Sequence, residues 1–491
     1  MTLQLKKIMA AGALLAFVLT EAVSAITDFD REIQVKHLRA DFTALYEGLK
    51  SGHYDLFVHR SKDEYGALYH QILTGFDTPL TLFEAQVQYQ KFAAYGNVAH
   101  ARIAFPEGAY QRYRETGGKI FPIFLRIIEG KAYVAENYSG DDKIKPDDEI
   151  TAINNQPMHE WLARVAQHIS ADTPYIAHSL LEFWFSKVLW LELGKAAQFN
   201  LTLKRGTDAI EQALVISART AEEMRLVSQN LNPAFSLDSN AREARMLTEH
   251  IAYLRPGPFY NAENPSAVWN KTAFTAFVDQ AFTNFLAKRA QTLIIDLRLN
   301  PGGDNSFSDH MISWFADRPF RFSSTFRIKS SKEASVSNQK RLDANPDAVT
   351  GVSGIFAQKY DEVAYGEVFD FELSKTAPRN GRRFEGDIVA LVDRHSFSNA
   401  VTVAAIIQDY NFGKVFGEKT SDMATTYGAM EHFLLPLTGI EVGFPKAHII
   451  RPSGDEKTDG VTPDVIFAAP VVPTAEDTVL NNVTRWITAQ R

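Results

Sequence analysis

The chain has 491 residues, a formal net charge of −8 at neutral pH and no cysteine. Its length exceeds that of one ordinary hydrophobic core and predicts about three domains. The acidic balance, with no long basic run, excludes nucleic acid as the main partner. The absence of cysteine excludes disulfides, thiol catalysis and cysteine-ligated zinc.

Residues 1–25 have the pattern of an export signal. Lys6 and Lys7 precede an apolar run at residues 8–19, and small residues ending at Ala25 stand where a signal peptidase cleaves. The run is short for a bilayer crossing, so we expect cleavage rather than a retained anchor. The mature protein is then periplasmic or secreted and has no integral membrane segment. No cysteine follows the run, which excludes a lipoprotein anchor.

Residues 26–117 are predicted to form a small helical segment. The stretch "REIQVKHLRADFTALYEGLKSG" has helical periodicity and ends at glycine, and "TLFEAQVQYQKFAAYG" begins at a threonine cap and also ends at glycine. The segment closes with "GNVAHARIAF", where Gly96 breaks the helix and a strand can begin at Ala101.

Residues 118–218 change to the pattern of short strands. "IFPIFLRIIEGKAYVAEN" predicts two strands around Glu129 and Gly130, and "KIKPDDEITAINNQPMHEWLARV" predicts a turn, a strand and a helix. This order resembles a PDZ domain, with residues 199–216 as its last hairpin and residues 166–198 as an insertion. A generic β-rich linker domain is the alternative.

Residues 235–491 are predicted to form a layered α/β domain. Two strongly apolar strands, "TLIIDLRL" and "GDIVALVD", alternate with helical patterns at residues 273–289 and 399–410. The first strand is followed by Asn300-Pro301-Gly302-Gly303. A glycine pair either makes a tight turn or lets a backbone N–H approach a ligand.

The stretch "RHSFSNAVTVAAIIQDY" places Ser396 and Ser398 before the second helix. Serines at this position cap helices, because their side chains accept hydrogen bonds from free backbone N–H groups. The same N–H groups stabilise an oxyanion when a serine is the nucleophile. The stretch alone leaves both interpretations open.

The chain resembles the C-terminal processing (tail-specific) serine peptidase family. The resemblance lies in "LIIDLRLNPGG", "VALVDRHSFSNA", "QDY", "VFGEKT" and "DGVTPDV", which occur in this order across residues 251–467, after the PDZ-like stretch. It implies an α/β fold with a ClpP/crotonase-like layered catalytic core, preceded by the small helical segment and the PDZ-like β-rich domain.

The resemblance assigns the nucleophile to Ser398, whereas Ser396 caps or packs. The oxyanion hole is implied to be the backbone N–H of Gly302, or of its neighbour Gly303, together with that of Asn399. Each such donor typically contributes about 10²-fold or more in rate.

Much of the family uses a lysine as the base, but Met423 stands at that position here. Lys419 lies nearby, inside the Gly-Glu-Lys-Thr element and not at the base position. A Ser–Lys dyad is therefore not expected.

The tricorn-like branch of the family uses a histidine from the helical segment, oriented by a glutamate near the C-terminus. His100 and Glu456 match these positions, and Asp455 and Asp459 are the alternatives for the carboxylate. Members of that branch have a serine before the histidine, where this chain has Ala99.

The sequence thus predicts an exported serine endopeptidase that cleaves unfolded or C-terminal polypeptide through an acyl-enzyme. A non-proteolytic ligand-binding protein on the same fold is the alternative. No cofactor or metal is expected, since "HEWLA" lacks the second histidine of a zinc-protease helix and no Walker loop occurs. The partners are polypeptide substrates, and the sequence leaves the oligomeric state open.

Overall fold

The computed structural model describes residues 28–206, 211–231 and 233–491. The predicted signal peptide at residues 1–25 lies outside these ranges. Within them, no helix combines the length and the apolar character needed to cross a bilayer.

The N-terminal region is mostly helical, as its periodicity predicts. The helices Lys62–Gly75 and Leu82–Ala94 both begin with capping boxes, in which Ser61 and Thr81 each exchange hydrogen bonds with a glutamate three residues later. The elements are β1 (Glu32–Ile33), α1 (Val35–Gly52), α2 (Lys62–Gly75), β2 (Leu80–Thr81), α3 (Leu82–Ala94), β3 (Arg102–Ile103) and α4 (Glu107–Glu115).

Residues 118–218, called the PDZ-like region below, contain one sheet in the order β4-β5-β6-β8-β9. Its elements are β4 (Ile123–Ile128), β5 (Lys131–Asn137), β6 (Glu149–Ile153), β7 (Gln156–Pro157), α5 (Met158–Ala166), α6 (Pro174–Leu193), β8 (Gln198–Lys204) and β9 (Glu211–Ser217), followed by α7 (Ala221–Ser228). Helix α6 occupies the predicted insertion and packs its buried face on the sheet. The assignment of this region as a PDZ domain stays a prediction.

The C-terminal half contains two further sheets. Its first elements are β10 (Glu243–Met246), β11 (Ile251–Arg255), α8 (Thr272–Ala287), β12 (Thr292–Asp296), α9 (Asn305–Ser313), β13 (Thr325–Lys329), α10 (Lys332–Ala344), α11 (Val352–Glu362) and β14 (Val368–Asp370). These are followed by β15 (Asp387–Val392), α12 (Asn399–Asp409), β16 (Lys414–Gly417), β17 (Thr426–Leu434), β18 (Glu441–Ile450), β19 (Val465–Ile466) and α13 (Thr478–Ala489).

The central sheet has the order β10-β11-β12-β15-β16-β19 and is parallel except at β10. Alternate residues of β12 point to opposite faces, so Leu293 and Ile295 pack with α8, α9 and α12, while Ile294 packs with α13. Buried parallel strands with helices on both faces form a layered core. The predicted α/β class is therefore confirmed.

The second sheet joins the N-terminal region to the C-terminal half. It has the order β14-β13-β18-β17, and β3 pairs with β18. Helix α1 packs against the same sheet, where Gly48 lies under the Phe433 ring. The buried Asp41 carboxylate accepts the backbone N–H groups of Leu437 and Thr438 at 3.0 and 2.7 Å. The helical segment thus packs on the C-terminal half.

Candidate active site

The two motifs singled out in the sequence lie at the same edge of the central sheet. Strands β12 and β15 are parallel neighbours, with Ile295 opposite Ala390. The glycine turn follows the carboxyl end of β12, and the loop with Ser396 and Ser398 follows that of β15. Ligand sites of open α/β sheets form outside the carboxyl ends of the strands, so substrate is expected at this edge.

Ser398 stands at a sharp turn between β15 and α12. Its backbone has φ 52° and ψ −124°, a conformation that costs a non-glycine residue about 1–3 kcal/mol and is frequent at active sites. Its side chain does not cap α12 and is half-buried. Ser396 is fully buried, and its Oγ donates to the Leu297 carbonyl at 2.8 Å. The Ser396 hydroxyl therefore serves the fold, as expected for a serine that packs.

The glycine turn contacts the Ser398 turn directly. Gly302 has φ 86°, and a Cβ added there would lie 2.7 Å from the Asn399 nitrogen and 2.8 Å from Ser398 Cβ. These distances are too short for any side chain, so the close approach requires glycine. The Asn300 carbonyl accepts the Phe397 N–H at 2.9 Å and ties the two turns together.

Two backbone N–H groups beside Ser398 carry no hydrogen bond to any described residue. They belong to Gly303 and Asn399. The N–H of Gly302 instead donates to Asn300 Oδ1 at 2.9 Å. Of the two glycines that the sequence offers for the oxyanion hole, Gly303 is thus the one with an uncommitted donor, beside that of Asn399.

His100 is buried beside the same loop. Its ring centroid lies 5.4 Å from that of Phe397, which directly precedes Ser398, and no hydrogen bond joins His100 to Ser398 among the residues described. Burial and then Arg102 lower the pKa of His100 to about 4, against the opposite effect of Asp172. Its Nδ1 is buried and without a partner. At neutral pH the imidazole is neutral, as a general base requires.

The carboxylates that the sequence offers for orienting His100 lie elsewhere. Glu456 is exposed and makes no ion pair or hydrogen bond to His100 in the described chain. Asp455 accepts the N–H of Lys457, and Asp459 pairs with the Lys419 ammonium at 2.5 Å. The structure brings none of the three to the imidazole, so the assignment of Glu456 stays a prediction.

Met423 and Lys419 bear on the expectation that no lysine serves as the base, which stays a prediction. Met423 is buried at the position where much of the family has lysine. The Lys419 ammonium is directed to Asp459, and its side chain is 40% exposed. Lys419 thus takes part in a surface ion pair.

Asp422, next to Met423, was not found from the sequence. It is fully buried, and its Oδ2 accepts the backbone N–H of Ser398 at 2.5 Å. Burial raises its pKa to about 7, opposed by the Ser398 N–H and reinforced by Asp172. Its Oδ1 has no hydrogen-bond partner. A carboxyl that titrates near neutrality therefore touches the backbone of the predicted nucleophile.

Residues 250–467 match the sequence model of peptidase family S41. The chain carries a peptidase family S41 domain. It is a serine-type peptidase, and thus a hydrolase, as the motifs predicted. The match contains the glycine turn, Ser398 and Asp422, whereas His100 precedes it.

Solved structures show the same fold over nearly the whole chain. Mature CPAF complexed with lactacystin is 14% identical and has a TM-score of 0.61, with 93% of this chain and 97% of that chain covered. A second structure of mature CPAF is 15% identical and has a TM-score of 0.60, with 92% of this chain and 96% of that chain covered. Comparison with curated proteins finds no match.

A loop of the PDZ-like region holds the segment with His100, which lies outside the S41 match. Asp172 Oδ2 accepts the N–H of Ala99 at 2.8 Å, and Ser170 Oγ donates to the Ala101 carbonyl at 2.5 Å. These bonds hold the backbone on both sides of His100. They join residues about seventy positions apart, so neither residue was identified from the sequence.

A buried charge cluster links the PDZ-like region to the S41 domain. Arg126 lies 2.9 Å from both Glu182 and Glu418, and Arg394 contacts the same two carboxylates at 3.1 and 3.2 Å. His395 lies 3.0 Å from Glu182. The exposed fractions of these five side chains are between 5% and 11%.

The charge cluster also covers the outer edge of β4. Glu182 Oε1 accepts the N–H of Ile127 at 2.8 Å, and Arg394 donates to the Ile127 carbonyl at 2.9 Å. Ser186 of α6 donates to the Phe121 carbonyl just before the strand. Main-chain groups to which a peptide strand would pair are thus occupied by side chains.

A cavity of about 320 Å³ lies between the PDZ-like region and the S41 domain. Its lining is mostly apolar and includes Phe124, Phe235 and Phe467 as well as His395, but neither Ser398 nor His100. The volume is sufficient for a small ligand. The cavity is separate from the nucleophile, so it carries no part of the chemistry.

Proposed function

We propose that this S41 peptidase is a serine endopeptidase that cleaves unfolded or C-terminal polypeptide through an acyl-enzyme on Ser398. The observation that carries the proposal is the contact between the Ser398 turn and the glycine turn. It places a serine with a strained backbone beside two uncommitted N–H donors, those of Gly303 and Asn399. This combination is what acyl transfer requires.

In the proposed reaction His100 takes the proton of the Ser398 hydroxyl as Oγ bonds to the substrate carbonyl carbon. The carbonyl oxygen becomes negative and accepts hydrogen bonds from the N–H groups of Gly303 and Asn399. The imidazolium then gives its proton to the leaving amine as the C–N bond breaks. A lowered pKa keeps His100 neutral before the attack. Substrate binding must bring Ser398 and His100 into hydrogen-bond reach.

The proposed substrate is an extended chain, because a backbone carbonyl must reach the edge shared by β12 and β15. The PDZ-like region is proposed to add such a chain to its sheet. With β4 covered, strand addition there requires Glu182 and Arg394 to release Ile127. Among the residues that the structure describes, the other edge strand, β9, pairs only with β8.

Export of the enzyme is part of the proposal. It rests on Lys6 and Lys7, the apolar run at residues 8–19 and the small residues before position 26. N-terminal sequencing of protein from the periplasm or medium should give Ile26 as the first residue. An intact Met1 on cytosolic protein contradicts this part of the proposal.

The central experiment is active-site labelling with a fluorophosphonate, which reacts only with an activated serine. Mass spectrometry should find the label on Ser398, and Ser398→Ala should abolish both labelling and protein cleavage. Ser396→Ala is the matched control, because that hydroxyl bonds to Leu297. It should retain labelling. Failure of the folded wild-type protein to label or cleave would favour the non-proteolytic ligand-binding alternative.

A further inference from the structure

The segment with His100 is held by a loop of the PDZ-like region, and one residue of that loop carries a buried charge. Asp172 is 2% exposed, and its Oδ2 accepts the N–H of Ala99 at 2.8 Å. Its Oδ1 accepts no hydrogen bond, and His59 Nε2 lies 3.5 Å from it. A buried carboxylate is costly unless neighbouring groups compensate it, and the groups beside Asp172 are the His59 ring and the segment with His100.

The groups around His100 come from four parts of the chain. Arg102 follows it in β3, Tyr427 of β17 presents a backbone carbonyl to the ring, and Phe397 of the Ser398 loop packs on it. Asp172 is the remaining group and the only carboxylate that acts on the His100 ring in this part of the described chain.

Asp422 adds a second carboxyl to this surrounding, but it acts on different groups. It accepts the Ser398 N–H and interacts with Asp172 and Arg102. Burial raises the pKa of Asp422 to about 7, so its carboxyl is partly protonated at neutral pH. Asp172 differs in that one of its oxygens accepts a hydrogen bond from the main chain beside His100. The negative charge closest in effect to the imidazole is thus that of Asp172.

We propose that Asp172 is the positioning residue for His100. It fixes the backbone that carries the imidazole and stabilises the imidazolium that forms when Ser398 attacks. This rests on the proposed function, since it presumes that His100 is the base. The proton moves from Ser398 to His100 and then to the leaving amine, and Asp172 takes no part in its transfer. The carboxylate comes from the PDZ-like region and not from Glu456.

The substitution Asp172→Asn tests the charge while leaving an oxygen to accept the Ala99 N–H. Without the carboxylate the pKa of His100 falls further below about 4, so the acid limb of the kcat/KM profile moves to lower pH. The plateau of kcat should fall about 10- to 100-fold, the equivalent of one or two pKa units, because the imidazolium is less stable. The KM should change little.

Ser170→Ala is the matched variant for a purely structural role. It removes the other bond to the same segment, that from Ser170 Oγ to the Ala101 carbonyl, and it changes no charge. Its acid limb should coincide with that of the wild-type enzyme. A shift caused by Asp172→Asn and absent from Ser170→Ala supports the proposal.

Two results overturn the proposal. The first is that Asp172→Asn keeps the wild-type kcat and the wild-type acid limb of the kcat/KM profile. The second is that Glu456→Gln shifts this acid limb while Asp172→Asn does not. If Asp172→Asn fails to fold, Asp172→Ala is measured with and without added formate. Rescue of the rate by this small carboxylate supports the proposal, and its absence contradicts it.

His100→Ala separates this proposal from the proposed function. If His100→Ala keeps the wild-type rate, the assignment of the base is wrong and both proposals fall. If His100→Ala is inactive and Asp172→Asn is fully active, only the role of Asp172 is wrong.

Discussion

His100 and His395 are both buried beside the loop that carries Ser398, yet their charge states differ at neutral pH. Burial and Arg102 lower the pKa of His100 to about 4. Burial acts in the same direction on His395, but Asp393 and Glu182 outweigh it and raise the pKa to about 9. One ring is neutral, and the other is a cation.

The difference shows that neighbouring charges, and not burial alone, decide what a buried histidine can do. His395 lies 3.0 Å from Glu182 and 3.8 Å from Asp393, and it holds the PDZ-like region to the core. His100 has an unpartnered Nδ1 and is able to accept a proton. His395 therefore has a structural role, whereas His100 has the properties that a general base needs.

The substitution with the largest expected effect is His100→Ala. Removal of a general base in a triad costs orders of magnitude, so kcat should fall by about 10³-fold or more while the circular dichroism spectrum is unchanged. His395→Gln is the control and should keep kcat within about fivefold. Equal losses of kcat in both variants would show that the charge states of the two rings do not distinguish the general base from a structural histidine.

A smaller effect is expected from Asp422→Asn, which retains an oxygen for the Ser398 N–H. Above its pKa of about 7 the wild-type carboxyl is negative beside the developing oxyanion, so activity should decline as pH rises through 7. The variant should lack this decline and be about tenfold faster at pH 8.5, with similar rates at pH 5.5. A pH profile of kcat/KM for both proteins gives the answer.

The raised pKa of Asp422 also predicts how the stability of the protein depends on pH. Its pKa is raised above the unfolded value, so its stabilising contribution is present at low pH and lost as pH rises through about 7. The melting temperature of Asp422→Asn should therefore exceed that of the wild-type protein above pH 7 and not below pH 4. The reverse order would contradict the burial of a carboxyl at this place.

His395→Gln should change stability more than rate. It removes the imidazolium between Glu182 and Asp393, although Arg126 and Arg394 still contact Glu182. Breaking a buried ion pair typically costs about 3–5 kcal/mol of unfolding free energy, and the remaining arginines place the expected loss at the lower end. Because the pKa of His395 is raised, the wild-type advantage is full below pH 6.5 and disappears as pH rises through about 9. Denaturant unfolding at pH 6, 8 and 10 measures this, with exposed His250→Gln as the control.

The smallest effect is expected from Lys419→Ala. The ion pair of Lys419 with Asp459 is 40% and 34% exposed, and such pairs contribute about 0–1 kcal/mol. Both kcat and labelling of Ser398 should stay within about twofold of the wild-type values. Complete loss of labelling would make Lys419 the base and His100 a second structural histidine.

The parts of the site that the sequence predicted are those encoded in short motifs at strand ends. Gly302 and Ser398 each follow a recognisable apolar strand, and parallel neighbouring strands bring their ends together. Ser396 and Ser398 were distinguished by the resemblance to the peptidase family, which implies that Ser398 is the nucleophile. The layered core followed from the same strands, because their apolar residues require helices on both faces.

Asp172 and Asp422 could not be found in this way. Both are buried carboxylates, which sequence patterns place on the surface, and their contacts depend on how distant segments pack. The pKa of His100 likewise could not be predicted from the sequence. An unperturbed histidine titrates near ~6.5, and only the folded surroundings bring the value to about 4.

The PDZ-like region illustrates the same limit. Its strands were visible in the alternation of apolar residues, but residues 166–198 were interpreted only as an insertion. Glu182 lies in the helix formed there, and its carboxylate accepts the backbone N–H of Ile127 in β4. Asp172 precedes that helix, so deleting the region would disturb His100 as well as peptide binding.

The pairing of β3 with β18 has a consequence for how the enzyme is made. β3 begins two residues after His100, and its partners Val442 and Gly443 lie far along the chain in β18. A chain folds from its N-terminus during synthesis, and contacts of this separation form late. We expect chains truncated before Glu441 to fail in fluorophosphonate labelling. Without β18 the segment with His100 lacks its strand partner, so we expect activity only after this late contact has formed.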